Sequence, residues 1–264
     1  LVPLTGVIGL LVRDSHESLT STRREIAGLA HVEQVQALME LVLKHRGQTV
    51  MVLSADAKAS AARETTRAEL DKRLSAIDRS VAAQPALALA KPWAELADEV
   101  RRATLGSSEI EVDRARAEHT RAYRRLYEHT ILAAEVSGLL LDPDSRSYFL
   151  MDLVVQRMAP WSEALAQIRA VGRTALLRKE WQPDDALRLQ SALGQEEAAF
   201  ASVRRALEAL RRSGEPEHPL TAETRRVADA FLAQARQLGK GSAAGVELPV
   251  YDKAGTQAVA QAGL

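Results

Sequence analysis

The chain of 264 residues contains no cysteine, which excludes a thiolate nucleophile, a disulfide and a cysteine-ligated zinc site. It also lacks net charge. With 35 basic side chains against 35 acidic ones, there is no overall basic field to draw nucleic acid, and none is expected as a partner. Aromatic residues are scarce, at 4% against 46% apolar overall, so the apolar content is chiefly Ala, Leu and Val. Ala and Leu, together with the plentiful Arg, Glu and Gln, are strong helix formers, whereas the β-branched and aromatic residues that favour strands are sparse by comparison. Catalytic signatures are missing as well: there is no glycine-rich phosphate loop, no serine elbow and no His-Glu-x-x-His. The six histidines are His16, His31, His45, His119, His129 and His218, and none stands four residues from another, the simplest one-face arrangement for a metal. Each therefore reads as a surface or hydrogen-bonded helix residue. No enzyme activity, metal or cofactor is expected.

What is present is helical spacing. From Arg13 to Leu53, Ile26, Leu29, Val32, Val35, Leu38, Met39, Val42, Val50 and Leu53 recur mainly at steps of three and four. Forty-odd helical residues reach about 60 Å, which suits a rod-like bundle. Ser54 or Asp56 is the expected cap of a second helix, from about Ala57 to Ala83, which Gln84-Pro85 ends. A short helix follows from Pro92 through Val100, then a break at Gly106-Ser107-Ser108, then a helix from about Val112 to Leu141. Asp142-Pro143-Asp144-Ser145 is a turn with capping residues, and the helix after it carries Tyr148, Phe149, Leu153 and Met158. Pro160 is expected to kink that helix or mark a restart at Trp161. Helices through Leu187–Leu210 and Thr221–Leu238 complete the pattern, separated by the loop at 213–219. The fold class is all-α: an elongated up-and-down antiparallel helical bundle, in one or two stacked helical modules.

Residues 1–12 are uncharged and mostly apolar, too few to span a bilayer, which takes about 20. They read as the end of a transmembrane helix, the bland alternative being an ordinary apolar N-terminal segment. Residues 13–250 are the expected helical domain, and 251–264 the start of a truncated C-terminal helix.

Two segments stand out. The first is Lys44-His45-Arg46-Gly47-Gln48-Thr49, late in the first helix. A glycine inside a helix costs about 1 kcal/mol relative to alanine. That suggests either a close approach of ligand or backbone at Gly47, or tight helix packing beside a solvated Arg46. The second runs from Ser137 to Asp152, where capping explains the polar residues up to Ser147 but leaves Tyr148 and Asp152 free to line a site.

Together, His45-Arg46-Gly47 and Ser137-Gly138-Leu139-Leu140-Leu141-Asp142-Pro143-Asp144-Ser145-Arg146-Ser147-Tyr148-Phe149-Leu150-Met151-Asp152 resemble a pair of segments in the extracytoplasmic helical regions of bacterial methyl-accepting chemotaxis receptors and sensor kinases. The first is also similar to the Arg-Gly element of nitrate- and nitrite-sensing helical domains. The chain departs from that element at His45, where an acidic residue is common, and at Gln48-Thr49, where Leu-Ser is usual. The resemblance implies a periplasmic receptor region flanked by membrane helices, signalling to cytoplasmic modules, with residues 251–264 leading back to the membrane. It further implies weak or ligand-dependent homodimers. The expected ligand site comprises Arg46, Gly47, Tyr148 and Asp152, with a small anion held by the Arg46 guanidinium. The alternative is a helical bundle that binds partner proteins and takes no small molecule.

Overall fold

Two stripes of small and apolar residues, stepping alternately by four and three, set the first contact of the fold. On α1 (Val2–Leu53) the stripe is His31, Val35, Leu38, Val42, His45 and Thr49; on α4 (Val112–Ser137) it is Ala115, His119, Ala122, Leu126, His129 and Ala133. Every one of these residues is buried. Such spacing makes a narrow seam that stays aligned along two packed helices. The helices run antiparallel, because Arg24 donates to the Val136 carbonyl while Arg46 donates to Thr120. Gly28 lets the backbones close in, since a Cβ there would stand 2.1 Å from the Ser137 hydroxyl oxygen.

The structure is a computed structural model that describes residues 2–54, 59–105, 111–141, 144–179, 181–215, 219–240 and 245–263, without the side chains of 2–18, 105 and 219–221. Among these residues there is no strand, and the chain is an all-α helical bundle. It divides after Asp142 into two compact units. Asp56, Gly106-Ser107-Ser108 and the Asp142-Pro143 part of the turn lie outside the described residues, as do residues 216–218 of the 213–219 loop.

In the first unit α2 (Ala59–Ala83) buries Thr66, Leu70, Leu74, Ile77 and Val81. A 3-10 turn at Pro85–Leu87 then leads into α3 (Ala90–Leu105), which turns Trp93, Leu96, Ala97 and Val100 inward. α4 stops at Ser137, not at Leu141. Gly138 takes the left-handed conformation (φ 92°) and its N–H closes on the Glu135 carbonyl, while Leu139–Leu141 form a separate 3-10 turn. α1 is continuous across the 12/13 boundary. Its Leu19–Leu53 part is long and apolar enough to cross a membrane by length and composition, but half of its most apolar window is buried within the unit. That part carries His31, His45 and Arg46 into the interior, so it is a bundle helix.

The second unit begins with α5 (Ser145–Met151), whose N-cap is Asp144: its Oδ1 accepts from the Arg146 and Ser147 amides, each at 3.0 Å. The helix then widens to a π segment at Asp152–Arg157 before α6 (Met158–Arg178). Pro160 supplies the reason. Its ring lacks an N–H and crowds the carbonyl four residues back, and the wider turn re-registers the bonds just upstream. α7 (Pro183–Arg212) opens with Pro183 and a reciprocal Gln182–Asp185 cap. α8 (Pro219–Gly239) and α9 (Leu248–Ala262) close the unit around Trp161, Leu165, Ile168, Leu189, Phe231 and Leu238. Residues 251–262, the expected lead to the membrane, belong to this core: Tyr251 and Ala258 are fully buried, and the Tyr251 hydroxyl donates to the Ile168 carbonyl at 2.8 Å.

Candidate functional site

The seam of the first unit is polar at regular intervals. His31 and His129 meet Nε2 to Nε2 at 2.9 Å, and His45 Nδ1 meets His119 Nε2 at 2.8 Å. Trp93 packs beside the first pair, 5.5 Å from His129 between ring centres, and its Nε1 donates to Asp78. Burial holds His31 and His129 down to about 4 and His45 to about 3, with neighbouring imidazole and arginine charge adding to the effect on His129 and His45. His119 is lowered too, first by burial, although its bond to the Ala115 carbonyl works the other way. All four rings are therefore neutral near pH 7, and this fixes the proton positions of the second pair. His119 Nδ1–H donates to Ala115 O at 2.7 Å, so its Nε2 is bare and accepts from His45 Nδ1–H. His45 Nε2 is left with a lone pair and no partner. Beside this pair is a cavity of about 20 Å³, lined by His45, Thr49, Arg63, Glu64, Glu118 and His119 among others, which has room for one water molecule.

Arg46 lies next to this chain of bonds. It is 5% exposed, and its Nη1 donates to Thr120 Oγ1 at 2.9 Å, inside the α1–α4 contact. Gly47 is half-buried. A close helix approach occurs at Gly28. Tyr148 and Asp152 belong to the second unit. Tyr148 is partly exposed with its ring against Phe149, and Asp152 is buried and held by both the Nε and Nη2 of Arg157, at 3.1 and 2.9 Å.

The second unit holds a far larger opening, a groove of about 940 Å³. One wall is a stripe running from α5 through the π segment into α6: Leu150, Leu153, Val154, Met158 and Trp161. The facing wall is a stripe on α7: Phe200, Val203, Leu207 and Leu210. Thr224 and Arg225 of α8 and Gln261 of α9 close one end, and most of the exposed lining is apolar. Below the groove the buried carboxylate of Glu196 accepts from Trp161 Nε1 at 2.8 Å and lies 3.8 Å from Arg225, whose guanidinium covers the Phe200 ring at 3.6 Å. Of the residues singled out from the sequence, Asp152 lies nearest in the chain to this wall, one position before Leu153, while its carboxylate anchors the π segment. No group of three or more metal-binding side chains occurs among the described residues.

Neither pairing of histidines nor the groove stood out in the sequence. The signal for the pairs was there: His31 and His45, like His119 and His129, occupy positions in three-four stripes that are otherwise apolar or small. A search confined to histidines four apart passes over it. The groove has a weaker signal, because its two walls lie on helices about 50 residues apart and only packing brings them face to face.

No family model, curated protein or solved structure matches this chain.

Proposed function

We propose that the chain is the extracytoplasmic ligand-sensing region of a membrane-anchored bacterial receptor of the chemoreceptor kind, and that the groove of the second unit receives the ligand. The observation that carries this reading is the groove itself. Its volume lies within the range of small-molecule sites, its walls are apolar and aromatic, and a few polar groups gather at its rim. The region acts by binding and takes no part in catalysis. Anchorage is through membrane helices flanking the region, on the periplasmic side of the inner membrane, with residues 1–12 as the outer end of one of them. Signalling modules on the cytoplasmic side receive the output, and ligand-dependent pairing of two copies fits the same scheme.

The mechanism follows from what lines the groove. Leu153 and Val154 are part of the π segment, and Met158 is the residue after it. A π turn is one register shift away from a regular α-helix, so a ligand that contacts one form better than the other moves the equilibrium between them. The shift is passed along α6. Arg46, expected from the sequence to hold a small anion, would have to give up Thr120 and part the α1–α4 seam to do so, and the open groove asks for no such opening.

The second reading, a bundle that docks a partner protein, is favoured by the apolar character and openness of the same groove. The experiment that separates them is a thermal-shift screen of the whole chain against small molecules, followed by calorimetry. Saturable binding of a small molecule that is lost in Leu207→Trp, which narrows the groove between its two walls, supports sensing. Binding unaffected by that substitution places the site elsewhere and refutes the reading.

A further inference from the structure

The lip of the groove carries four arginines and three acidic residues: Arg146, Arg204, Arg211 and Arg225 against Asp144, Glu208 and Glu215. Most of these charges are already engaged. Arg146 is paired with Glu215. Arg225 is held by Asp229 at 2.6 Å and faces Glu196. Asp144 is occupied as the α5 cap. The side chains of Arg204 and Arg211 have no ion-pair or hydrogen-bond partner among the described residues, and both are exposed. They stand seven residues apart, two turns along α7 on the face that also presents Leu207 to the groove. The only acid between them is Glu208, so the unengaged charge at the lip is positive. Below it lie Phe200, Val203, Leu207, Met158 and Trp161.

We infer that the groove takes a small amphiphilic anion: a soluble molecule with an apolar body and a carboxylate head, the body lying between α5–α6 and α7 and the head meeting Arg204 or Arg211. This rests on the reading of the groove as the sensing site and names the class of its ligand. An arginine fork matches a carboxylate with two parallel N–H bonds, and it does so without breaking any existing pair. The apolar walls exclude a bare inorganic anion as the favoured occupant, because it would leave most of the groove unfilled. A cationic amphiphile would meet the arginines head-on.

The test uses three probes of matched chain length: decanoate, the neutral alcohol decanol, and decyltrimethylammonium. Each is titrated calorimetrically into the whole chain and into the variants Arg204→Gln/Arg211→Gln, Arg204→Glu/Arg211→Glu and Leu207→Trp. The arginines are exposed, so helicity by circular dichroism is expected to be unchanged in the first two. Decanoate should bind saturably and at least about tenfold more tightly than decanol, and the Gln pair should remove that advantage while leaving decanol unaffected. The Glu pair should invert the preference toward decyltrimethylammonium, and Leu207→Trp should weaken all binding. Equal affinity for decanoate and decanol, unchanged in the Gln pair but lost in Leu207→Trp, overturns the anionic class and leaves the sensing site standing. No saturable binding by any of the three probes overturns the inference and the sensing reading together.

Discussion

The two units solve the same packing problem with different interiors. The first runs a line of histidines, threonines and Arg46 through the seam of α1 and α4, and Trp93 and Tyr123 are its buried aromatic residues among those described. The second is filled with Trp161, Phe231, Tyr251 and long aliphatic side chains, with Glu196 as its deepest carboxylate. A polar seam has to pair its donors with acceptors across the two helices, which fixes their register but makes the packing sensitive to protons. An apolar core tolerates acid but depends on shape, and where its walls do not meet it leaves a groove. The second unit is accordingly the one that can take an apolar body.

The largest effect that separates them is acid. An imidazole that refuses a proton down to about 4 when folded, but accepts one near 6.5 when unfolded, makes low pH favour the unfolded chain. Its contribution is whole above pH 6.5 and drains away as pH falls toward 4. His31 and His129 are each expected to withdraw roughly 2 kcal/mol between pH 7.5 and pH 5. Denaturant unfolding followed segment by segment with hydrogen exchange should show α1 and α4 losing several kcal/mol over that interval, while α6 and α9 change little. Replacing His45 and His119 together by leucine should flatten most of the dependence contributed by that pair.

Next in size is Tyr251→Ala in the second unit. It removes a fully buried ring and the bond to the Ile168 carbonyl, at an expected cost of about 3–5 kcal/mol. Exchange should rise in α6, α8 and α9 and stay unchanged in α1 and α4; loss of protection in α1 would contradict the independence of the two interiors. Gly28→Val is the counterpart in the first unit. The added side chain meets Ser137 and should cost about 1–3 kcal/mol, with the loss confined to α1–α4. Smallest is Asp144→Ala, which deprives the Arg146 and Ser147 amides of their acceptor and should cost about 1 kcal/mol, fraying the start of α5. A urea midpoint unchanged by it would mean the cap contributes nothing.

The helices were legible in the sequence because their boundaries are chemical. Pro85, Asp144 and Pro183 each act through a missing N–H or a capping carboxylate, and both are local. Gly138 was misjudged: a glycine three residues before an expected helix end is tolerable inside a helix, and only its left-handed angle shows that the helix has stopped there. The division at Asp142 and the inward packing of Tyr251 depend on contacts between distant segments, which local spacing does not encode. The same holds for the histidines, whose partners lie 98 and 74 residues away in the chain. Arg46 was legible as a special residue, but its partner Thr120 was not.

The central claim is that ligand enters the second unit. Hydrogen exchange of the whole chain with and without saturating decanoate tests it most directly, since it reads position as well as binding. Added protection is expected at the two groove walls, residues 144–161 and 200–211, with α1 and α4 unchanged. Protection that instead appears around Arg46 and His119, with the groove walls unaltered, would contradict it.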